Sequence, residues 1–152
     1  MVRGARMVDV TPKEESYRVA LAYGRIRLRR ETVDRIRRGD IEKGDPIAVA
    51  SIAGVLAAKN TPNIVLLCHP LPLTNVEVTC HVEDEEHIGC TARVSAVAKT
   101  GVEMEALAAV ASALLNIWDV VKKYEKDEDG QYPYTRIEEI RVLEKRKEPT
   151  TS

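Results

Sequence analysis

Residues 75–99 constrain the fold more than any other part of the chain. In NVEVTCHVE (75–83), Val76, Val78, Cys80 and Val82 alternate with Glu77, Thr79, His81 and Glu83. From 87 to 99, Ile88, Cys90, Ala92, Val94 and Ala96 again take every second position. Alternation of this length is a strand pattern, and the acidic Asp84-Glu85-Glu86 between the two runs reads as a hairpin turn. The pattern buries one face, so the chain must supply helices or a second sheet to cover it.

The remaining segments supply helices. Glu31–Arg38 places Val33 and Ile36 at helical spacing, with Gly39 as a stop signal. The next helix is expected over Asp45–Lys59, with Asp45 as N-cap, Pro46 first in the helix and Thr61-Pro62 closing it. Ile52, Val55 and Leu56 form its apolar stripe, while Ala50, Ala53, Gly54 and Ala57 keep it thin enough for close packing. Residues 103–123 repeat Leu107, Val110, Leu114, Ile117 and Val121 at helical intervals. Residues 16–28 and 136–144 read as two further strands. The order strand, helix, helix, strand, strand, helix, strand predicts an α+β, ferredoxin-like fold: an antiparallel sheet with helices on one face. The uncovered face predicts an oligomer. With 152 residues, one domain over 1–152 is expected, with an N-terminal arm at 1–15 and a flexible tail at 146–152.

Charge and cysteine usage narrow the function. Lys plus Arg number 23 against 24 Asp plus Glu, so global charge does not point to nucleic acid. No apolar run approaches the ~20 residues of a membrane span, and MVRGARMVDV lacks the apolar core of a secretory signal. Three cysteines without a CxxC spacing fit a reducing cytoplasm. Cys80 and Cys90 fall opposite one another on the apolar face of the hairpin and read as core cysteines. His81 points the other way, so no metal site is predicted.

Three stretches carry candidate chemistry. LLCHPLPLT (66–74) sets a Cys-His pair before two prolines, which stiffen the backbone around His69; a stiff structural loop is the plainer reading. TGVEMEA (100–106) opens the long helix, where free amides favour an anion. Glu103 and Glu105 either offset the helix dipole or accept from the N–H groups of a guanine-like ring. Asp119 and Lys122, three apart, are either an exposed ion pair or an acid/base couple. Glu105 and Asp119 return to one helix face but lie ~21 Å apart along the axis, so a small ligand touching both needs two subunits. Lys43, in a Lys-Gly-Asp turn before a helix, stands out among the basic residues.

These blocks together carry a resemblance. MVDV (7–10), KGD (43–45), IAGVLAAKNTP (52–62), LLCHPLPLTNVEV (66–78), KTGVEMEAL (99–107) and WDVVK (118–122) resemble the cyclic pyranopterin monophosphate synthase (MoaC) family. The resemblance implies a lyase of molybdenum cofactor biosynthesis. Its substrate would be the 3′,8-cyclised 7,8-dihydro-GTP made by a radical GTP cyclase, and its products cyclic pyranopterin monophosphate and pyrophosphate. Asp119, Lys43 and Lys122 are implied as catalytic. Leu67, Cys68, His69, Glu103, Met104 and Glu105 are implied as substrate contacts, with Asp9, Arg18, Lys59 and Lys145 as further pocket residues. The family's assembly is a hexamer, a trimer of dimers with sites between subunits. No cofactor is required; Mg²⁺ can accompany the triphosphate. The chain departs from many relatives in lacking a glycine-rich C-terminal tail after Lys145. Rival readings are a non-catalytic nucleotide-binding regulator and a scaffold subunit; the intact Asp119, Lys122, Lys43 and His69 set disfavours both.

Overall fold

The structure is a computed structural model that describes residues 3–150. Its elements are β1 (Ser16–Arg27), α1 (Arg30–Arg38), α2 (Pro46–Lys59), a 3-10 turn at Thr61–Asn63, β2 (Leu73–Val82), β3 (His87–Ala98), α3 (Glu103–Glu125) and β4 (Arg136–Pro149). The strands form one antiparallel sheet in the order β2-β3-β1-β4, the ferredoxin-like arrangement expected from the sequence.

The long helix α3 lies on the sheet and supplies much of the core through Ala106, Ala109, Val110, Ala113, Leu114, Ile117 and Val121, all fully buried. Its small residues let it settle close to β1: a Cβ on Gly24 would come within 2.8 Å of Val110 Cγ1. By length and composition α3 could cross a membrane, which corrects the expectation that no apolar run approaches that length. Half of that stretch, however, is buried inside the protein. It is a core helix.

Local chemistry sets the helix ends. Asp45 Oδ1 accepts from the Ile47 amide at 2.9 Å, with Pro46 next in line, as the N-cap reading requires. Gly39, at φ 71, ends α1 in the left-handed region that favours glycine.

The structure corrects four further expectations. The apolar stripe of α2 faces outward: Ile52 is 73% and Leu56 57% exposed, while Ala50, Gly54, Ala57 and Ala58 are buried. The small residues win because α2 packs tightly against α3 and β2. A Cβ on Gly54 would stand 3.0 Å from the Ala109 carbonyl oxygen and 2.9 Å from Val78 Cγ1. Second, β4 continues to Pro149, so residues 146–149 are paired strand rather than tail. Its backbone pairs with β1 from Arg27↔Arg136 to Ser16↔Pro149, passing two bulges, with Glu139 at φ 63. Residues 151–152 lie outside the described residues.

Third, Cys80 and Cys90 are joined in a disulfide rather than being separate thiols. The hairpin register puts them directly opposite, with Cα atoms 4.1 Å apart. Fourth, the sheet face away from the helices is polar and internally paired. Arg25 reaches Glu138 at 2.8 Å and Glu83 at 3.7 Å, and Tyr23 donates to Glu83. Its exposure alone therefore does not call for a partner. One patch of exposed apolar surface is a groove where Ile52, Val55 and Leu56 of α2 meet Val76 and Val78 of β2.

Candidate active site

The implied site residues gather in three places on the chain, two of them at opposite ends of α3. At the N-terminal end is a cleft of about 640 Å³. The N-terminal arm (Val8, Val10, Lys13), the proline-stiffened loop (Leu67, Cys68, His69) and the start of α3 (Glu103, Met104, Glu105) line it. The arm is held there from both sides. His69 Nε2 donates to the Val8 carbonyl at 2.7 Å, as an acceptor-only carbonyl requires. Lys99 Nζ donates to the Thr11 carbonyl at 3.1 Å. Between them sits Asp9, whose carboxyl is held below the ordinary range by hydrogen bonds from the Thr11 side chain and amide.

Glu103 and Glu105 differ although they are two residues apart. Burial pushes the Glu103 carboxyl up, but the Lys145 hydrogen bond, its own backbone amide, and the charges of Lys145 and Arg18 outweigh that and hold it low. The β1–β4 register puts Lys145 opposite Ala20, and its ammonium meets Glu103 at 2.7 Å. Glu103 folds back over the helix start, against Gly101, so that a side chain at 101 would collide with its carboxylate. The free amides expected to attract an anion are thus partly served by Glu103 itself. Glu105 is buried at 3% exposure. Burial, then the neighbouring Glu103 charge, raise its pKa. The pair offers one carboxylate that accepts and one carboxyl that keeps its proton to higher pH, a division suited to a ring presenting both donors and acceptors. Burial, then Glu105, raise the Cys68 thiol pKa, so it is no activated nucleophile.

Arg18 belongs to this end as a support. It is buried, and donates from Nε to the Ala98 carbonyl at 3.4 Å and from a terminal nitrogen to that of Lys99 at 3.2 Å. It thereby fixes the turn leading into α3.

The second cluster stands at the C-terminal end of α3. Asp119 Oδ1 meets Lys122 Nζ at 3.0 Å, and Oδ2 meets Lys43 Nζ at 3.2 Å. Hydrogen bonds from Lys122, then Lys43, hold the Asp119 carboxyl below its ordinary range. Lys43 comes from the turn before α2, whose Gly44 takes φ 114. Lys59 is in neither cluster; it lines the groove between α2 and β2.

Several supporting residues carry no motif signal. Tyr124, Lys123 and Glu42 fasten the Lys43 turn. Glu125, fully buried, accepts from the Arg29 amide, Thr32 and Thr135, tying the end of α3 to α1 and β4. An acid as the last residue of a helix, where the dipole disfavours it, is the sequence oddity that could have flagged Glu125.

A family model described as the MoaC family matches residues 7–148. The chain belongs to the MoaC family. A probable cyclic pyranopterin monophosphate synthase of Pyrococcus furiosus is 58% identical over 96% of this chain and 93% of that protein. One of Pyrococcus abyssi is 56% identical over 98% and 93%. One of Sulfurisphaera tokodaii is 53% identical over 93% of each chain. The 7–148 match takes in both residue clusters, from Asp9 to Lys145.

Proposed function

We propose that the chain is a cyclic pyranopterin monophosphate synthase, the lyase step of molybdenum cofactor biosynthesis. It would convert 3′,8-cyclised 7,8-dihydro-GTP into cyclic pyranopterin monophosphate and pyrophosphate. The observation that carries this is the near full-length family match coinciding with two chemically complementary half-sites.

The N-terminal end of α3 suits the ring system, with Glu103 accepting from N–H donors, Glu105 beside it and Met104 against the ring face. The C-terminal end suits proton transfer and phosphate. Asp119 is kept ionised by two ammoniums, so it acts as base, while Lys43 and Lys122 serve as acids and as cations for the phosphoryl oxygens. Opening the five-membered purine ring and closing a pterin demands several such proton transfers.

The two ends cannot serve one substrate within one chain. Glu105 and Asp119 are fourteen residues apart in α3, or about 21 Å along its axis. That distance supports a site shared between subunits, each giving one end of its α3, in a hexamer built as a trimer of dimers. Lys59, separate from both ends in the single chain, would join the site from the partner's side. No resident cofactor is needed; Mg²⁺ would arrive with the triphosphate. A radical GTP cyclase would supply the substrate, and a cytoplasmic location would suit an enzyme fed from the GTP pool.

Purified protein given the cyclised intermediate is expected to yield the cyclic pterin and pyrophosphate by mass spectrometry, and Asp119→Ala is expected to abolish this. Binding without product would instead mark a regulator.

A further inference from the structure

We propose that Tyr124 is a positioning residue that holds the Lys43 turn in register with Asp119. The inference rests on the catalytic reading of Lys43 and Asp119 above. Lys43 sits in the tight turn Ile41–Gly44, closed by the Gly44 amide donating to the Ile41 carbonyl at 3.1 Å. This turn connects α1 to α2, and only Ile41 is anchored in the core. Nothing within the turn fixes its distance from α3.

The fixing comes from consecutive residues at the end of α3. The Glu42 amide donates to Tyr124 Oη at 2.9 Å, and Lys123 pairs with the Glu42 carboxylate. One turn earlier on the same helix, Asp119 receives Lys43 Nζ on Oδ2 at 3.2 Å and on its backbone carbonyl at 3.4 Å. The Tyr124 ring is itself held: it packs on the core, and the Arg35 guanidinium lies 4.6 Å from its centre. Arg35 in turn grips Asp40, at the start of the same linker, at 2.7 Å.

Of these contacts, the Tyr124 hydroxyl is the one that meets the turn's backbone directly. The Lys123–Glu42 pair joins two flexible, exposed side chains and fixes little. A lysine ammonium on a four-carbon stem reaches many places, and its value to Asp119 depends on where its backbone is pinned.

The test uses Tyr124→Phe, which keeps the ring and its packing. Tyr134→Phe serves as control, losing a tyrosine hydroxyl that donates to Glu86 at 2.6 Å beside the β2–β3 turn. Tyr124→Phe is expected to lower kcat about fivefold with KM little changed, and to add no loss in a Lys43→Ala background. Limited acetylation read by mass spectrometry should show Lys43 reacting faster in the variant, with Lys145 unchanged. Unaltered kcat with equally protected Lys43, or an equal fall in the Lys43→Ala background, would overturn the proposal. Should the wild type form no product, the functional reading fails, and Lys43 acetylation alone decides whether Tyr124 pins the turn.

Discussion

Glu125 offers the sharpest stability test. Its carboxylate is fully buried where α3 ends, α1 begins and the chain enters β4. The Arg29 amide lies 3.2 and 3.1 Å from its two oxygens, Thr135 Oγ1 donates at 2.6 Å, and Thr32 Oγ1 donates as well. In Glu125→Ala the Arg29 amide cannot turn elsewhere, which costs about 1–3 kcal/mol. The two hydroxyls can rotate but lose bonds to a charged acceptor, at about 1 kcal/mol each net. The sum is about 4 kcal/mol, a large share of the ~5–15 kcal/mol typical of a folded protein. Glu125→Gln keeps the shape and one acceptor, so about half that loss is expected. Guanidinium unfolding followed by circular dichroism and by Trp118 fluorescence reads both, at equal protein concentration so that any assembly contributes alike. An Ala variant within about 1 kcal/mol of wild type, or a Gln variant as damaged as the Ala one, would refute this account of the junction.

Alkylation of the denatured, unreduced chain is expected to label Cys68 alone and, after reduction, all three cysteines; three labels at once would remove the Cys80–Cys90 bond. Reduction should cost about 2–3 kcal/mol of stability, given the short loop it closes. Glu105 has its folded pKa raised, so its contribution to stability is full below the unfolded value and is lost as pH rises through the folded one. Glu105→Gln should therefore raise Tm at pH about 8 and lose that advantage at pH about 4; a difference independent of pH would count against burial as the cause. Mixing inactive His69→Ala and Asp119→Ala chains through co-refolding should restore about a quarter of wild-type activity if each site draws on two chains, and none if it draws on one.

Much of the fold was legible because it is written in local signals. Alternation gave the β2–β3 hairpin, Asp45-Pro46 the start of α2 and Gly39 the end of α1. What was misread depends on neighbours distant in sequence. Hydrophobicity favours burying Ile52 and Leu56, but space does not: only Ala and Gly fit between α2, α3 and β2. The extension of β4 through Lys145–Pro149 is carried by backbone pairing with β1, which a charged composition hides. Cys80 and Cys90 were correctly placed opposite each other on the apolar face, but alternation alone does not say whether two facing thiols are joined. In the site, motif residues were legible and their supports were not. Tyr124, Glu42 and Glu125 are common residue types whose importance comes from what folding sets against them.

On the proposed reading of a site shared between chains, the Asp119 couple would be incomplete in the single chain. In the single chain the side chains of Asp119, Lys43 and Lys122 are 57%, 50% and 43% exposed. Ion pairs so wetted are weakly coupled and screened by salt within about 8 Å. A proton passed between them gains little over one passed to water. Covering this end with another protein surface changes that: lowering the effective dielectric from about 80 to about 20 strengthens each interaction about fourfold with no atom of the triad moving. At the N-terminal end of α3, burial already raises the Glu105 pKa, and the Lys145 ammonium there is taken up by Glu103. In the proposed shared site, a dry surface of one chain would cover the charged helix end of another, joining the environment of one end to the charges of the other.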